Sequence, residues 1–184
     1  MRRLVVGAAL TLATLASAAP RRYGIGRTPT ADDLRAASIS VAPDGRGLPP
    51  GHGSGREGAV LYQALCAACH GVRGEGRNDF PALVGGQGTL RTATPMLTVG
   101  SYWPYATTLW DYIHRAMPYS SPGTLTTDQV YALTAFILQM NGVIAVDTVL
   151  DETTLARLRM PNRDGFVSDP RPDIRAKQVA APVR

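Results

Sequence analysis

The stretch Cys66-Ala67-Ala68-Cys69-His70 is a C-x-x-C-H motif, and the interpretation of the whole chain depends on it. Two thiols at this spacing near a helical turn can add to the two vinyl groups of one porphyrin. The adjacent histidine then lies under the iron and ligates it. Cys66 and Cys69 are therefore predicted to hold one covalent haem c, with His70 as the proximal iron ligand.

Two other uses of a C-x-x-C pair are a thioredoxin-like redox centre and half of a zinc site. The first needs a βαβ context, and the second needs another pair of ligands. The sequence has no further cysteine, and its other histidines are His52, in a Gly/Pro-rich stretch, and His114. The haem interpretation is favoured for these reasons.

The N-terminus has the pattern of a secretory signal peptide. Arg2 and Arg3 precede an apolar run from Leu4 to Leu15, and Ala16-Ser17-Ala18 supplies small residues for cleavage. A retained membrane anchor is the alternative, but the run is shorter than the ~20 apolar residues of a spanning helix. Residues 1–18 are predicted to be removed, giving a periplasmic protein with no membrane span.

Length and charge limit the classes of function. Of the 184 residues, those that remain after signal cleavage suffice for one domain. Loss of Arg2 and Arg3 lowers the net charge from +5 to +3, and the propionates of a haem would lower it further. No nucleic-acid partner is expected at this modest charge.

Composition divides the mature chain into four segments. Residues 19–54 are rich in Gly, Pro, Arg and Ser and are predicted to form an extended N-terminal arm across the surface of the core. Residues 55–142 form the haem domain. Residues 143–166 form a C-terminal arm with a helical turn near Glu152 to Arg157. Residues 167–184 are dominated by Pro, Arg and Ala and are predicted to be disordered.

Three helices are predicted within the haem domain. Helical periodicity indicates the first from Gly55 to Cys69 and the second from Ala106 to Ala116. The third follows a capping box at Thr126 and ends at Asn141-Gly142. The segment 71–104 between the first two is irregular, and its length is expected if it wraps a haem.

The sixth iron ligand is predicted to be Met117, which is followed by proline and precedes the last helix. A thioether is a soft, neutral ligand that favours reduced iron. Met160 is the alternative, because Met160-Pro161 is a second Met-Pro pair. His114, whose expected role is a solvated helix residue, or a small molecule could also take this position. Either methionine could instead fill a gap in the core.

The order of helix, C-x-x-C-H, wrapping loop, Met-Pro and last helix resembles a class I c-type cytochrome, which implies an all-α fold. Longer strings resemble the cytochrome subunit of Sox-type sulfane dehydrogenase and related sulfite-dehydrogenase cytochromes. They are Gly24-Ile25-Gly26-Arg27, Val41-Ala42-Pro43-Asp44-Gly45-Arg46-Gly47-Leu48-Pro49-Pro50-Gly51, Gly100-Ser101-Tyr102-Trp103-Pro104-Tyr105-Ala106-Thr107-Thr108-Leu109-Trp110-Asp111-Tyr112-Ile113 and Met160-Pro161-Asn162-Arg163-Asp164-Gly165-Phe166.

This resemblance implies a partner and site roles. Such a cytochrome docks on a molybdenum-cofactor subunit that oxidises a sulfur substrate, and it passes electrons to a soluble carrier such as another cytochrome c. Carried over to this sequence, Met117 is the distal ligand, and the Pro81 carbonyl accepts a hydrogen bond from His70. Sox cytochromes commonly carry a second haem domain, whereas this chain has one C-x-x-C-H motif.

The leading functional hypothesis is therefore an electron-transfer subunit with no catalytic site of its own. Other classes are a haem enzyme, such as a direct thiosulfate-oxidising cytochrome or a small peroxidase, and a haem-based ligand-binding or sensor domain. The arms 19–54 and 143–166 are hypothesised to help dock the protein on its partner, and the alternative is that they merely cover the haem domain.

Overall fold

The computed structural model describes residues 23–171, apart from the side chain of Arg35. The predicted signal peptide, residues 1–18, and most of the predicted C-terminal tail lie outside the described residues. The helices are α1 (Ala31–Ala37), α2 (Gly55–Leu65), α3 (Ala67–His70), α4 (Ala106–Ala116), α5 (Thr127–Met140) and α6 (Glu152–Arg157). Two short strands are β1 (His52–Ser54) and β2 (Val149–Asp151). The predicted all-α character is confirmed apart from this one strand pair.

The first helix of the haem domain begins where a capping box satisfies its free N–H groups. The Ser54 side chain accepts a hydrogen bond from the Glu57 N–H, and the Glu57 carboxylate accepts one from the Ser54 N–H. The prediction of one helix to Cys69 is wrong in one detail, because Cys66 leaves the helical conformation with φ −122°. The chain resumes as α3, which carries Cys69 and His70.

Helices α2 and α5 form the main crossing of the core, and glycine allows their close approach. A Cβ atom on Gly58 would lie 1.9 Å from the carbonyl oxygen of Ala132. Beside this contact, the Tyr62 ring packs on Phe136 with ring centroids 5.3 Å apart. The two helices thereby form one wall of the interior.

Helices α4 and α5 begin and end where the sequence predicts. The capping box of α5 joins the Thr126 hydroxyl to the Gln129 N–H, and Gly142 adopts φ +69° just beyond the helix. Trp110 of α4 is fully buried and packs against Tyr131 of α5, with ring centroids 5.5 Å apart. This packing fixes the helix that leads to Met117.

The strand pair joins the two segments that were predicted as arms. Strands β1 and β2 are antiparallel, with Gly53 opposite Leu150. A Cβ atom on Gly53 would lie 2.3 Å from the Ala132 backbone nitrogen, so β1 lies directly on α5. Each strand has three residues, and so short a run shows too little alternation of apolar and polar residues for a strand to be predicted from the sequence.

Parts of both arms belong to the core rather than to its surface. Val41 is buried and its N–H donates to Asp111 Oδ1 at 2.8 Å. In the C-terminal segment, Leu150, Leu155 and Met160 are each 1% exposed and join the same buried cluster. The helical turn predicted near Glu152 to Arg157 is confirmed as α6.

The segment 71–104 wraps one end of the helices without regular structure apart from a 3-10 turn at Thr89–Arg91. Side-chain hydrogen bonds fix its path: Thr98 Oγ1 donates to the Gly85 carbonyl at 2.6 Å, and Asn141 Nδ2 of the α5 terminus donates to the Leu83 carbonyl at 3.1 Å.

In the described part of the chain, no helix is long and apolar enough to cross a membrane.

Candidate haem site

Cys66, Cys69 and His70 all line one cavity between α3, the wrapping loop and helices α4 and α5. Its volume is about 340 Å³, which lies in the range of ligand pockets, roughly 300–1,000 Å³. Met117, at the end of α4, lines the same cavity. The remaining walls are mainly apolar, from Leu65, Phe80, Pro81, Leu83, Val99, Trp103, Leu109, Tyr112, Ile113, Pro118, Tyr119, Leu125, Leu133 and Ile137.

The two thiols are half-buried and are not bonded to each other. Burial, together with the nearby charge of Cys69, raises the pKa of Cys66 to about 11. A redox-active C-x-x-C pair needs the opposite shift, because the thiolate is the reactive form. A zinc site needs more ligands, and among the described residues no three His, Cys, Asp or Glu side chains gather around a metal position.

His70 is held by the loop that follows it. Its Nδ1 lies 2.9 Å from the Pro81 carbonyl oxygen, so Nδ1 carries the proton and donates it to that oxygen. The contact that the family resemblance implies is thus confirmed. In the neutral imidazole, the other ring nitrogen, Nε2, then has the lone pair that a metal requires. The Phe80 ring meets the imidazole edge-on, with centroids 6.3 Å apart.

A tight turn brings Pro81 back to His70. Gly71 follows α3 with φ +83°, a conformation that favours glycine, and the Gly76 N–H donates to the His70 carbonyl at 2.8 Å. Below this turn the buried Tyr62 hydroxyl donates to the Gly71 carbonyl at 2.9 Å, and burial raises the pKa of Tyr62 to about 12. The backbone that orients His70 is therefore tied to α2.

The candidates for the sixth ligand lie in different environments. Met117 lines the cavity, whereas Met160 is packed in the buried core and is not among the described residues that line it. The expectation that His114 is solvated is wrong. Its ring lies 4.8 Å from that of Trp110, and its Nδ1 is buried. His52 lies exposed on β1, as expected for a surface histidine.

The donor set and the walls fit a covalently bound haem. The cavity contains two adjacent thiols for thioether bonds, one imidazole with an available Nε2 and one thioether sulfur, all within apolar walls. Among the aromatic residues on α4 and just before it, Trp103 and Tyr112 line the cavity and pack edge-on, with ring centroids 5.9 Å apart. Trp110 is in the core, and Tyr102 packs on Phe166 at 5.1 Å.

Several wall residues were not predicted from the sequence. Phe80, Val99 and Leu125 line the cavity from loops, where no periodicity marks a buried face. The available signal was local. Phe80 and Leu125 are apolar residues in polar surroundings, close to the motif and to Met117 respectively.

Comparisons with known proteins agree with this site. The Cytochrome c family model matches residues 55–141. With a helical fold built around this motif, the chain belongs to the class I c-type cytochromes, and that family implies covalent binding of haem c.

Within the class, the chain is similar to a chain of the sulfane dehydrogenase SoxCD from Paracoccus pantotrophus. The two share 39% identity with a TM-score of 0.77, and the match covers 89% of this chain and 80% of that chain. No curated protein sequence gives a significant match. The resemblance to a Sox-type cytochrome that the sequence predicted is confirmed, as is the class I cytochrome c fold.

Proposed function

We propose that this electron-transfer cytochrome carries one haem c and serves a molybdenum-dependent dehydrogenase of sulfur compounds in the periplasm. The observation that supports this proposal best is the placement of Cys66, Cys69, His70 and Met117 around one apolar cavity. The similarity to SoxCD supports the sulfur-oxidising context.

Each site residue has a distinct role in this proposal. Cys66 and Cys69 form the thioether bonds by addition of their thiols to the two vinyl groups of the porphyrin. His70 is the proximal ligand through Nε2. Met117 is the distal ligand, because among the described methionines it is the one that lines the cavity, which it does from the end of α4.

Haem c, when bound, supplies an iron that accepts and donates one electron. The chain's own residues set the conditions for that exchange. Leu109, Ile113 and Leu133 exclude water from the cavity, and the Pro81 carbonyl fixes the orientation and protonation of His70. Low water content lowers the reorganisation that accompanies a change of charge, which favours rapid transfer.

The partners follow from this role. The electron donor is a molybdenum-cofactor dehydrogenase subunit, and the acceptor is a soluble carrier such as another cytochrome c. Location in the periplasm is supported by the signal-peptide pattern that begins with Arg2 and Arg3, and by the family's dependence on export for haem attachment.

An optical and carbon monoxide titration of the purified protein tests the carrier function against enzymatic and sensory ones. A six-coordinate, low-spin His/Met haem that does not bind carbon monoxide is expected. A high-spin haem, or one that binds carbon monoxide readily, would contradict the carrier function. Copurification from the native periplasm with a molybdenum-containing subunit, detected by metal analysis, tests the partner.

A further inference from the structure

The N-terminal segment divides at Val41 into two parts with different environments. Residues 41–54 are part of the domain, because the Tyr131 hydroxyl donates to the Pro49 carbonyl at 3.0 Å and β1 lies on α5. Residues 23–40, here called the outer arm, hold the short helix α1. This helix packs to no appreciable extent against any other described helix or strand.

The outer arm is organised by its own contacts. Arg27 pairs with Asp33 through both guanidinium nitrogens, and the Thr30 N–H donates to the same carboxylate at 2.7 Å. These hydrogen bonds lower the pKa of Asp33, and the one from Arg27 has the largest effect. A seven-residue helix has little stability alone in water, so a second surface is needed to hold it.

The outer arm exposes apolar side chains that the domain does not cover. Tyr23 is 80% exposed, Ile25 90%, Leu34 58% and Ile39 51%. These four large apolar side chains lie within eighteen residues, and the described part of the domain leaves each of the four residues more than half exposed to solvent. The charged residues of this segment, two of each sign, balance one another.

A cleft of about 450 Å³ adjoins the place where the arm enters the domain, at Pro43 and Asp44. Arg157, Arg159 and Arg163 line it. Arg159 pairs with Asp164, and Asp44 pairs with Arg46 at 2.9 Å. Among the described residues, Arg157 and Arg163 have no carboxylate partner, and the Arg163 guanidinium lies 4.0 Å from the centre of the Tyr105 ring. The cleft therefore carries uncompensated positive charge.

The comparisons with known proteins distinguish the outer arm and the cleft from the haem domain. The Cytochrome c family model covers only residues 55–141, which excludes the outer arm and the cleft arginines. The match to the SoxCD chain covers 89% of this chain and therefore includes most of the residues outside that region. Most of the flanking residues are thus shared with a chain of a sulfane dehydrogenase, although they lie outside the Cytochrome c family model.

We propose that the outer arm and the cleft of Arg157 and Arg163 together dock this cytochrome on the larger, molybdenum-cofactor subunit. The complementary surface is an apolar groove that receives Ile25 and Leu34 and is bordered by carboxylates that pair with the two arginines. This proposal rests on the proposed function, since it specifies the surface used for that partner.

Binding of the holocytochrome to the purified molybdenum-cofactor subunit, followed by calorimetry, tests the surface. The apolar variant Ile25→Ser/Leu34→Ser is compared with Val60→Ser, which changes a 73% exposed valine on α2. The charge variant Arg157→Glu/Arg163→Glu is compared with Arg91→Glu, an exposed arginine outside the cleft. A third variant lacks residues 23–38 and keeps Val41, which the core requires.

Each docking variant should bind at least tenfold more weakly than wild type, while both controls bind normally and all keep the haem absorption spectrum. The loss of affinity in the charge variant should shrink in 0.5 M salt, because salt screens the ion pairs. The loss of affinity in the apolar variant should persist. Normal binding by the docking variants would overturn this surface alone. Absence of binding by the wild type would overturn the proposed partner as well. A homodimer that only the arm variants dissociate, with partner binding intact, would reassign the arm to a second copy.

Discussion

At the scale of single residues, the hydrogen bond from His70 Nδ1 to the Pro81 carbonyl oxygen prepares the site for iron. It fixes the tautomer, so that Nε2 is available, and it limits rotation of the ring. The Met117 thioether meets the same cavity from the end of α4. Two different helix ends therefore supply the two proposed ligands.

Met117 and Met160 can be distinguished by the near-infrared sulfur-to-iron charge-transfer band of the oxidised protein. Met117→Leu should abolish the band, because the leucine side chain has no sulfur. Met160→Leu should keep it and change stability by less than about 1.5 kcal/mol, because the volume in the core is conserved. The reverse pattern would identify Met160 as the ligand. Loss of the band in both variants would mean that Met160 supports the ligand loop.

The sequence predicts the chemistry of single residues well where a motif is involved. The C-x-x-C-H motif indicates the three residues that line the cavity together, because its spacing is required by the chemistry. The environment of His114 could not be predicted. Its stacking on Trp110 depends on where α4 meets the rest of the core. Histidine occurs both on surfaces and in partly buried positions, so the residue type alone does not indicate burial.

At the scale of elements, the crossing of α2 and α5 sets the distance between the helix that leads to Cys66 and the helix that supplies Leu133 and Ile137 to the cavity. Gly58 lies at the closest point of this crossing. The spacing of the cavity walls thus depends on a residue without a side chain.

Replacement of Gly58 by alanine should destabilise the holoprotein. The added Cβ would lie 1.9 Å from the Ala132 carbonyl oxygen, so the helices must separate. Overpacking of this kind costs up to ~3 kcal/mol or more, which outweighs the ~1 kcal/mol gained in helix propensity. A net loss of about 2 kcal/mol is expected from the denaturant midpoint. The control Val60→Ala, on the exposed side of the same helix, should change stability by less than ~0.5 kcal/mol. An unchanged midpoint for Gly58→Ala would contradict the close packing.

Asp111 connects α4 to the N-terminal segment. Its lowered pKa predicts that the stability of the fold decreases in acid. Burial alone would raise its pKa, but hydrogen bonds from Arg115, at 3.0 Å from Nε, and from the Val41 N–H outweigh burial and lower the pKa. A lowered folded-state pKa means that the stabilisation is present above the ordinary value of 3.8 and is lost as the pH falls through the folded value.

Asp111→Asn should therefore destabilise the protein at pH 7 by about 2 kcal/mol, because hydrogen bonds to a charged group are lost. The difference from wild type should shrink as the pH falls below about 4. Thermal unfolding of both proteins across pH 3–7 measures this. Asp147→Asn is the matched control, since the Asp147 side chain is 90% exposed. A constant difference at every pH would show that the carboxylate charge is not involved.

Element prediction succeeds for α4 because periodicity marks it, and α5 and α6 each begin at a capping residue. It fails for β1 and β2, which are too short to show alternation and form only because α5 brings the two segments together. It also fails at Cys66, where the helix is interrupted although the apolar spacing continues to Cys69. Tertiary contacts decide these features, and local sequence does not contain them.

At the scale of the whole molecule, a cytochrome c domain is extended by flanking segments that lie in two different environments. Residues 41–54 and 149–160 complete the core, and the outer arm remains exposed. The composition of residues 19–54 indicates irregular structure throughout, but it does not reveal which half is buried. Val41 and Ile39 differ in burial although both are β-branched residues in the same polar stretch.

The intact mass of the exported protein tests the central claim, covalent attachment of one haem c, most directly. Expression in cells competent in cytochrome maturation should give the mass of the chain after loss of residues 1–18, plus one haem. Cys66→Ser/Cys69→Ser is the matched control and should give no covalent haem. A wild-type mature mass without haem, from the same cells, would contradict the account.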